Sequence, residues 1–505
     1  MRLTSFLLFF VVKAFALPGN RWGKLTAAQV EEFKESLGRT DADKFHDALL
    51  RARETARFAS SAQSDVQIKE FNEAVKVIST KTLSKKSGGG VSKVNINSGI
   101  AEQLYKGDMI LTNEQIDILL PSDDSNATGR KKRQAQAPAL LWENDGTTKV
   151  YYEFAPSLTP AAKAAAQAGI NFWHKSTCID FVQSTTATNR IKFFRGSGCF
   201  SNVGMTGGVQ TLSLGDGCET IGHSTHEIGH ALGFWHTQSR WDRDTYLNVY
   251  FAKIPAEWRD QFTKETKTTN TNYGMPHDYG SVMHYDGNEL SPNGQTYMVT
   301  KATSYQDNMG SYIVGFYDVA MMNTHYKCTA KCTTGATCLN GGIRNSRACN
   351  TCLCPAGWSG ATCNTRPTGC GSSLTAKAAV QSITIGAGTA GVNLVDFTTC
   401  NYLITGPVGK KLEIVIATMN GYECLNGCFD NGIEIKSIAD HRYTGIRKCC
   451  SEDTGTKIVS QKHIVPIIAF TRFNRQTARI TYRWVESTVA STATTAQIPA
   501  TKPSY

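Results

Sequence analysis

Cysteine is absent from residues 17–129 of this 505-residue chain, while the rest of it holds all 16. So uneven a distribution excludes one uniform fold and marks a boundary. Long apolar runs are also missing: after the first few residues nothing approaches the about 20 consecutive apolar positions that a membrane-spanning helix needs. Together with a mean hydropathy of −0.28, this excludes a polytopic membrane protein. The formal charge of +11 is not concentrated on any basic helix, so it does not point to nucleic acid. A hydrophobic content of 41% excludes a wholly disordered chain, and the length suggests about three to four units. Sixteen cysteines would be unusual in a reducing compartment, and the even count permits full pairing.

What is present begins with a secretion pattern. In residues 1–16, Arg2 precedes an apolar run, Phe6 to Val12, and Ala14-Phe15-Ala16 offers an A-x-A cleavage site. Residues 17–133 then show helical periodicity at Val30, Phe33, Leu37, Phe45, Leu49, Phe71 and Val75, followed by a polar, Gly-rich linker over 84–90. Arg130-Lys131-Lys132-Arg133 is a tetrabasic run in a Ser/Asp/Gly/Asn-rich stretch. A furin-like convertase is expected to cut after Arg133. Asn126-Ala127-Thr128 is a glycosylation acceptor beside it. Residues 1–133 hold 21 of the 53 basic and 16 of the 42 acidic residues; the remaining 32 and 26 leave +6. Part of the basic excess therefore belongs to processing.

Chemistry concentrates at residues 226–236, HEIGHALGFWH. His226 and His230 lie one helical turn apart on one face, as a shared metal requires. Glu227 sits one position round, placed to reach water at the metal without displacing it. Gly233 permits positive φ, so the helix can end and His236 can swing back as a third nitrogen ligand. Three imidazoles leave zinc an open position, the arrangement of a catalytic site. The extended HExxHxxGxxH string is a metzincin signature.

The chain continues Thr237-Gln238-Ser239-Arg240-Trp241-Asp242-Arg243-Asp244, and Ser281-Val282-Met283-His284-Tyr285 follows downstream. Residues 134–328 thereby resemble the astacin family of zinc metalloendopeptidases. The resemblance implies a two-lobed α/β catalytic domain holding one Zn2+. It implies His226, His230 and His236 as ligands, Glu227 as acid/base, Met283 as the floor beneath the metal, and Tyr285 as a ligand that swings off to bind the oxyanion. His223 and His284 have no ligand spacing and read as structural. Tyr105-Lys106-Gly107-Asp108 resembles the family's propeptide F-x-G-D motif, which implies Asp108 as an inhibitory zinc ligand in a zymogen. It also implies the disulfides Cys178–Cys328 and Cys199–Cys218.

Two positions depart from the family pattern. Thr237 stands where most members have a glutamate that pairs, through water, with the new α-amino terminus. Gln134 would head the cut chain and can cyclise to a neutral pyroglutamate, which needs no carboxylate partner. Met309-Gly310-Ser311-Tyr312-Ile313 lacks the basic residue that, in many relatives, binds acidic side chains after the scissile bond, so that preference is not implied.

Thr159-Pro160 should cap an Ala-rich helix to about Lys175, with Ile170, Phe172 and Trp173 packed on a sheet, and 150–154 and 191–194 read as strands. Six cysteines within 332–363 resemble an EGF-like module, with their pairing open. Short strands over 380–385, 412–417, 433–437, 464–470 and 478–484 predict an all-β sandwich, and residues 370–486 resemble a CUB domain. There Cys370–Cys400 is expected, with Cys424, Cys428, Cys449 and Cys450 forming two more bridges. Glu423, Asp430 and Glu434 admit a calcium site, but exposed turn carboxylates are the better reading. Residues 487–505 form a Ser/Thr/Ala-rich tail. The expected protein is a secreted, multidomain zymogen without a membrane span, acting on extracellular proteins such as matrix or cuticle components. The alternative is a catalytically weak binding or scaffold protein that works through the same modules.

Overall fold

A computed structural model describes residues 89–119, 140–143 and 148–490 except 268, 292 and 293, with isolated positions between 26 and 50. The secretion signal, the tetrabasic run, Asn126, Gln134 and most of the C-terminal tail lie outside the described residues. Of the periodic positions in the N-terminal segment, Val30, Phe45 and Leu49 are helical and buried.

The N-terminal segment contributes α1 (Val91–Asn97), β1 (Met109–Ile110) and α2 (Asn113–Leu119). The central unit begins with β2 (Lys149–Phe154) and α3 (Pro160–Ser176). Thr159 caps α3 by accepting the Ala162 N–H at 3.1 Å, and proline occupies the first helical position, where no N–H is needed. Next come β3 (Asp180–Gln183), β4 (Arg190–Phe194), β5 (Cys199–Asn202) and β6 (Val209–Leu214). These strands form one sheet in the order β1-β5-β6-β4-β2-β3, with β5 and β6 antiparallel and the other neighbours parallel. Thus β1 from the N-terminal segment adds an outer strand to the central sheet.

The helix α4 (Ile221–Ala231) is buried along its whole length. It crosses α3 closely because Gly169 has no side chain: a Cβ there would stand 2.4 Å from Ser224 Oγ. Trp173 Nε1 donates to Thr225 O at 3.0 Å across the same contact. Trp173 and Ile170 are buried and Phe172 is half-buried.

Beyond α4 the chain runs mainly through short turns, with a two-stranded pair of β7 (Leu247–Val249) and β8 (Met298–Thr300), and then α5 (Phe316–His325). The small hairpin β9 (Ile343–Arg344) and β10 (Cys352–Leu353) carries three disulfides, Cys332–Cys349, Cys338–Cys352 and Cys354–Cys363.

The last part is β-rich: β11 (Ser373–Thr375), β12 (Gln381–Ala387), β13 (Asn393–Thr405), β14 (Lys411–Asn420), β15 (Asn431–Ile435), β16 (Ile446–Lys448), β17 (Lys457–Val459), β18 (Ile464–Phe473) and β19 (Gln476–Val485). They make two sheets, β11-β13-β18-β15-β16 and β12-β19-β14-β17, whose inward isoleucines from β14, β15, β18 and β19 share one core. That core continues without a break into Tyr246, Tyr279, Tyr285 and Met298 of the central unit.

Two carboxylates depart from the sequence reading. Asp430 is buried and ion-paired with Arg472, and Glu434 lies inside β15 against Arg447 and Lys436. Neither is an exposed turn residue: Asp430 meets Arg472, 42 residues on, and Glu434 meets Arg447 of the neighbouring strand as well as its near neighbour Lys436. The remaining bridges are Cys178–Cys328, Cys199–Cys218, Cys370–Cys400, Cys424–Cys450 and Cys428–Cys449.

Candidate active site

The sequence at the end of α4 dictates a sharp exit. Gly233 takes φ +109°, a conformation that only glycine adopts readily, and its N–H bonds His230 O at 2.7 Å. The chain turns, and His236 comes back beside the helix. His230 Nδ1 donates to Phe234 O at 2.7 Å, and His226 Nδ1 donates to Val282 O at 2.7 Å. A carbonyl only accepts, so both protons sit on Nδ1 and both Nε2 atoms present lone pairs.

These lone pairs converge. His226 Nε2 lies 3.1 Å from His230 Nε2, which lies 3.2 Å from His236 Nε2. Two imidazole lone pairs at that separation repel unless a cation stands between them. The spacing is close to the edge of about 3.3 Å of a tetrahedron with zinc–nitrogen bonds of about 2.0–2.1 Å. The donor set and its geometry therefore fit zinc. Beside it Glu227 is fully buried with neither carboxylate oxygen hydrogen-bonded. Burial, and then the Asp108 charge, push its pKa well above the usual range. No cation pairs with Glu227 among the described residues, so its carboxylate faces the centre without an ion-pair partner.

Met283 passes under α4 at Gly229, where a Cβ would stand 2.7 Å from its Sδ. Small size at position 229 thus admits the thioether. The Tyr285 hydroxyl reaches the same centre, donating to Asp108 Oδ2 at 3.0 Å, with Lys106 O at 2.7 Å. Asp108 is buried, its Oδ2 2.9 Å from His236 Nε2 and 3.2 Å from His226 Nε2. The four ligand atoms of Asp108, His226, His230 and His236 lie within 4.8 Å of one another.

Several features hold Asp108 there. Gly107 has φ +86°, and a Cβ on it would approach Gln261 Oε1 to 2.8 Å and Tyr285 Oη to 3.2 Å. The buried Lys106 ammonium pairs with Glu265. Tyr105 packs edge-on against Trp235 with ring centroids 6.0 Å apart. Sequence reasoning missed Glu265 and Gln261, whose partners lie about 150 residues away and leave no local spacing to read.

His223 lies off this centre, bonded to Thr220 and Tyr312, and His284 Nδ1 donates to Tyr285 O at 2.6 Å. Thr237 shares a 2.9 Å hydrogen bond with Ser281, whose hydroxyl donates to Asp318 at 2.6 Å. Burial pushes the Asp318 carboxyl up to about 6. A buried carboxylate thus stands one hydroxyl away from the threonine.

Fold and site together define a zinc metalloendopeptidase. The family model for the astacin peptidases matches residues 134–327. Zinc metalloproteinase nas-31 of Caenorhabditis elegans is 43% identical over 416 residues, covering 81% of this chain and 68% of that protein. Zinc metalloproteinase nas-17 of the same organism is 34% identical over 405 residues, covering 79% of this chain and 91% of its own length. Among solved structures, high choriolytic enzyme 1, a hatching enzyme zinc-protease from the medaka fish Oryzias latipes, aligns with 27% identity and a TM-score of 0.35, over 38% of this chain and 98% of that one. The chain belongs to the astacin family.

Proposed function

We propose that the protein is a secreted zymogen that, once cut, hydrolyses internal peptide bonds of extracellular proteins such as matrix or cuticle components. The reading rests above all on three imidazole Nε2 atoms gathered at zinc-ligand spacing beside a buried Glu227 whose carboxylate accepts no hydrogen bond. His226, His230 and His236 would hold one zinc ion, which supplies Lewis-acid polarisation of the scissile carbonyl and lowers the pKa of water to about 7. Glu227 takes the proton of the attacking water and returns it to the leaving amine. The Tyr285 hydroxyl, aimed at the same centre, donates to the oxyanion as it forms. The Nδ1–H bonds of His226 and His230 fix their tautomers and ring planes, and Met283 closes the floor.

Latency follows from Asp108, whose carboxylate lies where attacking water must enter. Cleavage after Arg133 by a furin-like convertase would release residues 17–133. In this reading 1–16 is a signal peptide, 134–328 the catalytic domain, 332–363 an EGF-like module and 370–486 a CUB-like domain that serve binding, and 487–505 a tail. Asn126 would carry glycan on the released part.

The test is cleavage of casein or gelatin by convertase-treated protein. Chelation and Glu227→Ala are each expected to abolish it, the substitution lowering kcat by about 10²–10⁴-fold. Activity unchanged by Glu227→Ala overturns the mechanism.

A further inference from the structure

Next to His226 and Tyr285 a small cavity opens, walled by Asp286, Glu289, Tyr312 and Phe429 and roofed by Gly90 and Val91 of the N-terminal segment. Among the described residues no lysine or arginine lines it; Arg447 touches the hydroxyl of Ser311 in its wall and is itself paired with Glu434. Gly310, Ser311 and Tyr312 form part of this wall, and its acids are Asp286 and Glu289.

Glu289 is 3% exposed, and its Oε1 accepts the Lys93 N–H at 3.1 Å. The chain crosses the carboxylate at Gly90, where a Cβ would lie 2.1 Å from Oε1. A side chain at position 90 would push this carboxylate aside, so the N-terminal segment covers the acid at van der Waals distance. Burial, and then the Asp286 carboxylate, push the Glu289 pKa up, as expected of an acid with no cation to balance it. Arg472, the cation that β18 brings toward Tyr312, is already engaged by Asp430.

Phe429 comes from the loop ahead of β15, outside the residues that match the family. Its ring packs on Tyr312 with centroids 3.7 Å apart and faces His223 at 6.3 Å. An apolar wall thus stands beside a buried acid without a cation partner, next to the catalytic His226 and Tyr285. A long aliphatic stem ending in a cation complements both surfaces.

We propose that Glu289 and Phe429 form a specificity subsite of the cleft that selects lysine or arginine immediately after the scissile bond. The stem lies along Phe429 and Tyr312 and the cation pairs with Glu289 once the N-terminal segment has left. The inference deepens the protease reading and rests on it, and it makes a β-rich region outside the catalytic unit part of substrate selection.

The experiment takes full-length, convertase-cut protein and an internally quenched peptide library varied at that position, with cut ends identified by mass spectrometry. Lysine and arginine should exceed leucine and glutamate there. Glu289→Gln should lower the Lys-to-Leu ratio of kcat/KM by about 30-fold, mainly through KM, and Glu289→Lys should turn the preference toward Asp and Glu. Phe429→Ala should raise KM for the basic peptides. Chelator-sensitive cleavage with an acidic preference or none, or a ratio unmoved by Glu289→Gln, overturns the subsite alone. If the variants do not fold, the wild-type library still decides by the same preference. Absence of chelator-sensitive cleavage of any peptide overturns the protease reading, and the subsite with it.

Discussion

Asp108 stands at the meeting point of three imidazoles and one phenol, a buried carboxylate that accepts from the Tyr285 hydroxyl and whose charge a cation held by those imidazoles would balance. Asp108→Ala should remove the plug while leaving Glu227 in place. Uncut protein carrying it should cleave a quenched peptide at least about tenfold faster than uncut wild type, by analogy with losing a bound inhibitor; equal rates would sink the plug. At this scale the sequence was readable where ligands lie within one helix and turn, since spacing of four and six residues fixes direction. Glu289, Glu265 and Phe429 were not readable, because their partners lie far along the chain and only folding brings them together.

Elements with a regular period were also readable. The helix α3 shows its start in Thr159-Pro160, and Thr159→Ala should destabilise the protein by about 1 kcal/mol through loss of the Ala162 bond. Chemical denaturation of the two proteins checks this, and an unchanged midpoint would mean the cap is dispensable. By contrast β5 is buried on both faces yet contains Ser201 and Asn202, so neither an alternation nor an apolar run marks it. The long β13 is hidden for another reason: its pairing with β18 shifts register between Asn393 and Thr398, and the shift destroys the alternation that marks a half-buried strand. Between α4 and α5 short turns prevail, which have no period to detect.

Across the whole molecule, the central unit and the C-terminal sheets share more than a common apolar core. Asn308 Nδ2 donates to Gly445 O at 2.7 Å, its Oδ1 accepts the Arg447 N–H at 3.1 Å, and Lys448 pairs with Asp307. Arg447 also bonds Glu434. Burial opposes ionisation of Glu434, but Lys436 and Arg447 outweigh it and hold the carboxyl at about 2, against 4.5 ordinarily. A folded pKa below the unfolded one contributes stability that is complete above about 4.5 and lost as pH falls toward 2. Denaturant midpoints should therefore drop between pH 5 and pH 2, and Glu434→Gln should flatten that part of the profile while lowering stability at pH 6. An unaltered slope would show that other groups set acid lability. The bonds of Asn308 and Asp307 were not readable in advance, since they join segments more than 130 residues apart.

All eight disulfides lie between Cys178 and Cys450, and none reaches the N-terminal segment. In the proposed cut chain that segment is held by reversible contacts alone, so release obeys mass action. The liberated piece is then a competitive inhibitor, silencing its own enzyme where product accumulates and freeing it where product diffuses away. Dilution into the surroundings, as much as the cut itself, would set when proteolysis begins.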